Sequence, residues 1–206
     1  MLFPDQGQRQ RAGRRTQRER SATTTAALVG AARELFSERG FHATSGEAVT
    51  RRAGVTSGAL YHHFRNKRAL FRAVFDAVER SVAERVAAAA AEAREPWGRL
   101  ERGVEEYLRV ILEPEVRRIV LVDGPSVLGW DEWHAADATH HLRPLAAALA
   151  IAMRHGLVDR QPPEPLARLL LGALTEAGLA EGADARASRD AVLWLLRRLR
   201  RDVPMR

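Results

Sequence analysis

Residues 44–70 read TSGEAVTRRAGVTSGALYHHFRNKRAL. Ser45, Thr56 and Asn66 are residue types whose short side-chain oxygen accepts from an orphan backbone N–H at a helix start. Gly54 is placed to supply the left-handed residue that ends a helix. The spacing predicts a short helix from Ser45 to about Ala53, a tight turn plugged by Val55, a second short helix over about residues 57–63, and a longer one starting at Lys67. Two short helices joined by a Gly-containing turn are how a protein lays a helix in the DNA major groove.

The second short helix has two distinct faces. With Leu60 and Phe64 taken as its buried side, one turn apart, a rotation of about 100° per residue points Gly58 and His62 away from the core. Tyr61, Ala59 and His63 flank that outer face, and Ser57 lies nearer the core edge. Glu, Lys or Arg would be expected on a plain surface helix. Gly, Tyr and His suit close contact with a phosphate wall. Gly58 lets the backbone approach, the Tyr61 hydroxyl and His63 ring can donate to phosphate, and His62 can reach a base edge. Lys67 opens the next helix, where the helix dipole and its ammonium together attract phosphate. The neighbouring His62 and His63 point about 100° apart and have no Cys or carboxylate at ligand spacing, so no metal site is expected. The alternative that Tyr61 and the His pair merely pad the following helix stays open at this point.

These residues carry a family resemblance. Ala53-Gly54-Val55, Leu60-Tyr61, Phe64, Asn66-Lys67 and Leu70 resemble the DNA-binding domain of the tetracycline-repressor (TetR) family of bacterial transcription regulators, over about residues 24–75. The resemblance implies that the helix from Thr56 to Phe64 enters the major groove. It implies phosphate contacts from Tyr61, His63 and Lys67, base contacts from Ser57, Gly58 and His62, and a backbone contact from Ser45, with Thr56 among the DNA-facing residues. Two positions depart from the family pattern. Gly46 stands where an apolar or β-branched residue is usual, and Thr50 where a small Ala is common. Gly in a helix costs up to about 1 kcal/mol against Ala, so the first short helix is expected to be soft and to order fully on DNA.

Charge separates the chain into two parts. Residues 1–90 hold 16 Arg/Lys against 8 Asp/Glu, and residues 91–206 hold 17 against 18, so the net +7 sits in the first part. A basic part on a neutral remainder points to a polyanion partner for that part alone. Cysteine is absent, which excludes disulfides and thiolate metal sites and fits a reducing cytoplasm. The first 20 residues carry six Arg but no apolar block, unlike a secretory signal. Few apolar groups and no helical period predict a disordered basic arm over residues 1–20.

The rest of the chain predicts helices throughout. Thr23 or Thr24 is expected to cap a helix with Leu28, Ala31, Ala32, Leu35 and Phe36 inward, and Gly40 to end it. A long fourth helix, about residues 67–92, buries Leu70, Val74, Phe75, Val78, Val82 and Val86. Pro96, Pro114, Pro144 and Pro162-Pro163 punctuate the remainder, as Pro favours first turns and boundaries. No segment alternates like a strand. The expected fold is all-α, about nine helices, with a three-helix helix-turn-helix domain at residues 21–68 and a second domain at residues 69–206.

The resemblance implies that the second domain binds an effector and dimerises through its last two helices in a four-helix bundle. The apolar stripes there are Leu166, Leu170, Ala173, Leu174 and Ala177, then Val192, Leu195, Leu196 and Leu199. By themselves they serve a single-chain core as well as a dimer. Tyr107, Trp130, Trp133, His134 and His141 are the candidate effector contacts, since ligand pockets are mostly apolar with a few placed polar groups. The expected protein is a homodimeric, cytoplasmic regulator, bound to a palindromic double-stranded operator and released by a small apolar effector. No cofactor, metal, membrane or catalytic residue is expected. One alternative is an enzyme using the segment His134–His141 with Asp131 and Asp137. The other is a non-specific DNA-coating protein, against which the neutral second part speaks.

Overall fold

The structure, a computed structural model, describes residues 6–201, and among them every regular element is helical. Nine helices follow in order: α1 (Gln6–Ala43), α2 (Gly46–Ala53), α3 (Ser57–His63), α4 (Lys67–Ala91), α5 (Pro96–Ile111), α6 (residues 114–128), α7 (residues 130–154), α8 (Pro163–Leu179) and α9 (Gly182–Arg198). Two of them contain π-helical stretches, Arg117–Asp123 in α6 and Ala138–Leu142 in α7. None of the described helices is long and apolar enough to cross a membrane. The chain divides into two compact units at Val74/Phe75, inside α4. The expected boundary after residue 68 falls short because Leu70, Phe71 and Val74 belong to the first core.

That first core is small and aromatic. Leu28, Ala31, Ala32, Leu35 and Phe36 of α1 are buried together with Val49, Leu60, Leu70, Phe71 and Val74. The rings of Phe36, Phe41 and Phe71 meet at centroid distances of 5.7, 5.4 and 5.2 Å. The caps stand as the sequence implies. Ala48 N donates to Ser45 Oγ (3.1 Å), Ala59 N to Thr56 Oγ1 (3.3 Å) and Ala69 N to Asn66 Oδ1 (2.8 Å). Gly54 ends α2 in the left-handed region at φ 67°, which a Cβ would disfavour. Gly40, at φ 80°, breaks the helical conformation of α1 three residues before its end.

Two expectations fail in α1. The basic arm is not irregular from residue 6 on, because α1 already runs there; residues 1–5 lie outside the described residues. Gln, Arg and Glu are good helix formers, and the low apolar content of this stretch says nothing against an extension of an existing helix. Nor does Thr23 or Thr24 start a helix. Thr23, Thr24 and Thr25 lie within one, and each Oγ1 donates back to the carbonyl four residues earlier, at 2.9–3.0 Å, the alternative open to a mid-helix Thr.

In the second unit, Val78, Val82, Leu100, Val104, Leu108, Ile111, Ile119, Leu149, Leu171 and Leu174 form a common core. Arg85 grips Glu113 with two hydrogen bonds of 2.8 and 2.5 Å. Arg117 donates to the carbonyls of Gly178 and Leu179 (3.0 Å each) at the end of α8, and to Glu181 (2.8 Å), so a cation closes the negative end of that helix. Glu79 is 1% exposed, and its Oε2 bonds His141 Nε2, itself buried. The carboxylate that His141 bonds comes from α4, 62 residues away in the chain.

Lys67 ties the first unit together. Its Nζ donates to Phe41 O and Thr44 O, both at 2.9 Å, and sits 4.2 Å from the centroid of the Phe41 ring. Lys67→Met keeps the stem and removes the charge. Since hydrogen bonds from charged groups contribute about 1.5–3 kcal/mol, hydrogen exchange at α1–α3 amides is expected to show that loss of stability. Unchanged protection would mean that the ammonium only decorates the surface.

Candidate nucleic-acid interface and ligand cavities

The rotation of α3 follows from its buried side. Leu60 is 3% and Phe64 9% exposed, while Ser57, Gly58, Tyr61 and His62 are exposed, Tyr61 by 66%. A Cβ on Gly58 would meet nothing closer than Thr56 Oγ1 at 3.9 Å, so the space over this position is open. Ser45 and Thr56 are also exposed, although each oxygen is engaged as a cap.

Two expected contacts are placed differently from the rest. His63 is half-buried, and its Nδ1 lies 3.2 Å from Thr25 Oγ1 on α1, so this ring is anchored within the unit. Lys67 has the internal partners described above. Both side chains brace α3 and α4 from behind or beside the outer face, which Ser57, Gly58, Tyr61 and His62 form.

Gly46 also gains a reason. A Cβ there would stand 3.0 Å from Leu60 Cδ2. The missing side chain lets α2 close onto the buried side of α3, so softness is not the whole of its effect. Thr50, the other departure from the family pattern, is buried and donates to Glu47 O at 3.0 Å.

The five candidate effector residues divide between two cavities of the second unit. Tyr107 and His141 line one of about 430 Å³, otherwise walled mainly by apolar groups such as Val86, Leu100, Val104 and Leu174. Trp130, Trp133 and His134 line another of about 400 Å³, with Asp137 and Thr175. Leu171 belongs to both linings. Tyr107 packs edge-on against His141 at 5.1 Å. Burial pushes the Tyr107 phenol well above its usual range, with Glu79 and Asp137 adding and a hydrogen bond to Thr175 opposing. The His134–His141 segment does not assemble one site, because His134 and Asp137 face one cavity and His140 and His141 the other.

Burial divides the dimer stripes. Leu170, Leu174, Ala177, Val192 and Leu196 are buried within the unit itself, and Leu166, Ala173 and Leu199 are half-buried. The large apolar side chains left exposed on α8 and α9 are Leu169 (74%), Trp194 (56%), Leu195 (46%) and Leu179 (39%), and Gly172 is exposed as well. Both helices are apolar on two sides, and periodicity does not say which side the protomer keeps.

This geometry agrees with the comparisons. Residues 28–74 match the model for bacterial regulatory proteins of the tetR family, and residues 97–202 match the tetracyclin repressor-like C-terminal domain. The chain belongs to the TetR family. A crystal structure of a TetR-family transcriptional regulator from Pectobacterium atrosepticum is 35% identical, with a TM-score of 0.75, covering 88% of this chain and 94% of that one. The transposon Tn10 TetC protein of Escherichia coli is 32% identical over 116 residues, 56% of this chain and 58% of that protein. The HTH-type transcriptional regulator UidR of Escherichia coli (strain K12) is 45% identical over 51 residues, 25% of this chain and 26% of that protein. The chain thus spans between about a quarter and three fifths of these two curated relatives.

Asp137 titrates unusually for this TetR-family chain. Burial raises its carboxyl from 3.8 to about 6; Glu79 adds to the rise, while His141, His134 and Arg168 oppose it. The folded value lies above the unfolded one. The contribution to folding is therefore present below about pH 4 and lost as pH rises through about 6. Asp137→Asn is expected to gain up to about 3 kcal/mol over the parent at pH 7.5 and about a third of that at pH 4.5, measured by urea unfolding. Equal gains at both values would contradict a raised carboxyl.

Proposed function

We propose that the protein is a sequence-specific DNA-binding transcriptional regulator, acting as a homodimeric repressor on a palindromic operator. The observation that carries this reading is the exposed outer face of α3, small at Gly58 and polar at Ser57, Tyr61 and His62, on the part of the chain that holds the excess positive charge. Phosphate contacts position such a helix and base-edge contacts give it sequence preference. In this reading Ser45 and Tyr61 serve the backbone, and Ser57, Gly58 and His62 the bases, while His63 and Lys67 hold the unit in shape behind them. Family membership supports it.

Selection from a random duplex pool tests the proposal. A specific reader is expected to favour its selected site over random DNA by on the order of 10³-fold or more at one salt concentration. A coating protein would show no preferred sequence. Gly58→Glu adds bulk and charge over open space. It is expected to keep the parent's unfolding midpoint while losing the selected duplex by on the order of 100-fold, as a displaced positive-to-phosphate fit and lost base contacts of about 1–3 kcal/mol each imply. Undiminished binding would remove this face from the interface.

The effector in this reading is a small apolar molecule in the cavity beside Tyr107 and His141. It acts by favouring one of two states of the protein, and is limited by its difference in affinity for them. The dimer forms through Leu169, Gly172, Trp194 and Leu195. Leu169→Arg with Leu195→Arg leaves the protomer core untouched, so sedimentation is expected to show a folded monomer where the parent is a dimer. A double variant with the parent's mass would place the interface elsewhere.

A further inference from the structure

The first two turns of α7 carry a pattern that lies outside the cavity beside Tyr107 and His141. Trp130, Trp133, His134 and Asp137 recur at i, i+3, i+4 and i+7, which places them on one side of a helix. The three rings form a group: Trp130 to Trp133 at 5.4 Å, Trp130 to His134 at 4.2 Å, and Trp133 to His134 at 5.2 Å and nearly parallel. One ring is fixed, since Trp133 Nε1 donates to Val120 O at 2.9 Å and the side chain is buried. Trp130, by contrast, is 63% exposed at the mouth of the 400 Å³ cavity.

Asp137 lines the same cavity. The lining holds two carboxyl side chains, Asp137 and Glu176, against one guanidinium, Arg168. Arg168, from α8, pairs with Glu164 at 3.0 Å. His141, on α7, is bound to Glu79 of α4. His134 lies within the ring group, and Glu176, also from α8, adds a further negative charge to the lining. The α6 residues of the lining, Leu121 and Pro125, are uncharged. Burial holds this half-buried carboxyl high, with Glu79 adding to the rise and His141, His134 and Arg168 opposing it.

We propose that this cavity binds a lipophilic organic cation, with the Trp130, Trp133 and His134 rings against its flat body and Asp137 against its charge. Aromatic faces attract cations through the ring quadrupole, more strongly when both are removed from water. A neutral ligand leaves the carboxyl uncompensated, and an anion meets it head-on. The cavity volume is in the range that holds a small drug-sized molecule. The cation also favours the ionised carboxyl, so below about pH 6 its binding expels a proton. The site is separate from the cavity beside Tyr107, and its occupation is read without DNA, so its failure leaves the DNA-binding reading intact.

The test uses the full chain, calorimetry, and two probes of one shape, 1-methylquinolinium and the neutral 1-methylnaphthalene. At pH 7.5 the cation is expected to bind at least about ten-fold more tightly than its isostere, the scale of one desolvated cation–ring and ion-pair contact. Asp137→Asn cuts that preference several-fold, and Trp130→Ala weakens the cation several-fold without lowering the unfolding midpoint. At pH 5 the cation's affinity falls by about ten-fold, since roughly one carboxyl in ten is then ionised, and buffers of different ionisation enthalpy reveal the released proton. Equal affinity for the two probes, a preference unchanged by Asp137→Asn, or no binding of the quinolinium would each overturn the proposal.

Discussion

Burial of Leu60 and Phe64 is the constraint on which the first unit depends. A seven-residue helix does not persist in water on its own, so α3 exists only because these two side chains are packed, each contributing about 1.5–3 kcal/mol. Their packing also sets the rotation that turns Gly58 and His62 outward. Everything around α3 holds that rotation. Thr56 caps its start, Gly54 turns the chain into it, Gly46 lets α2 approach Leu60, and His63 reaches back to Thr25. Lys67 fastens α4 to the end of α1. A helix offered to a DNA groove must be rigid in orientation yet bare on its outer side, and the unit meets both demands with buried contacts on one side only.

The second unit solves a different problem. It keeps a carboxylate, an imidazole and a phenol inside an apolar bundle. Burying a charge is costly unless it is paired and hydrogen-bonded, and Glu79 and His141 satisfy each other while Tyr107 packs beside them. The π-helical stretches lie at these places: Ala138–Leu142 carries His140 and His141, and Arg117–Asp123 carries Arg117 and the Val120 carbonyl that receives Trp133. Such insertions re-aim side chains and are frequent at functional sites. Here they accompany two cavities that share Leu171.

Much of the first unit was legible in the sequence because its signals are local. Ser45, Gly54, Thr56 and Asn66 each act within three or four residues, and a single turn separates Leu60 from Phe64. The misreadings came where local signals compete or distant ones decide. Thr23 and Thr24 look like caps, and only the continuation of α1 turns them into mid-helix residues. Arg-rich residues 6–20 look like coil because helix propensity is quieter than low hydrophobicity. Lys67 and His63 look like free donors, and their acceptors lie 23 to 38 residues away. In the second unit, Leu170 and Leu169 are equally apolar in sequence, yet one is core and the other exposed. His134 and His141 line separate cavities, and the π-helical stretch Ala138–Leu142 that carries His141 was announced by no periodicity.

The central claim is that the outer face of α3 lies against duplex DNA. A benzophenone side chain substituted at His62, irradiated with the selected duplex, tests it most directly. The structure predicts a covalent protein–DNA adduct from position 62 and none from the same probe at Ile151, an exposed position of the second unit. Tight duplex binding with adducts from Ile151 and none from position 62 would contradict it.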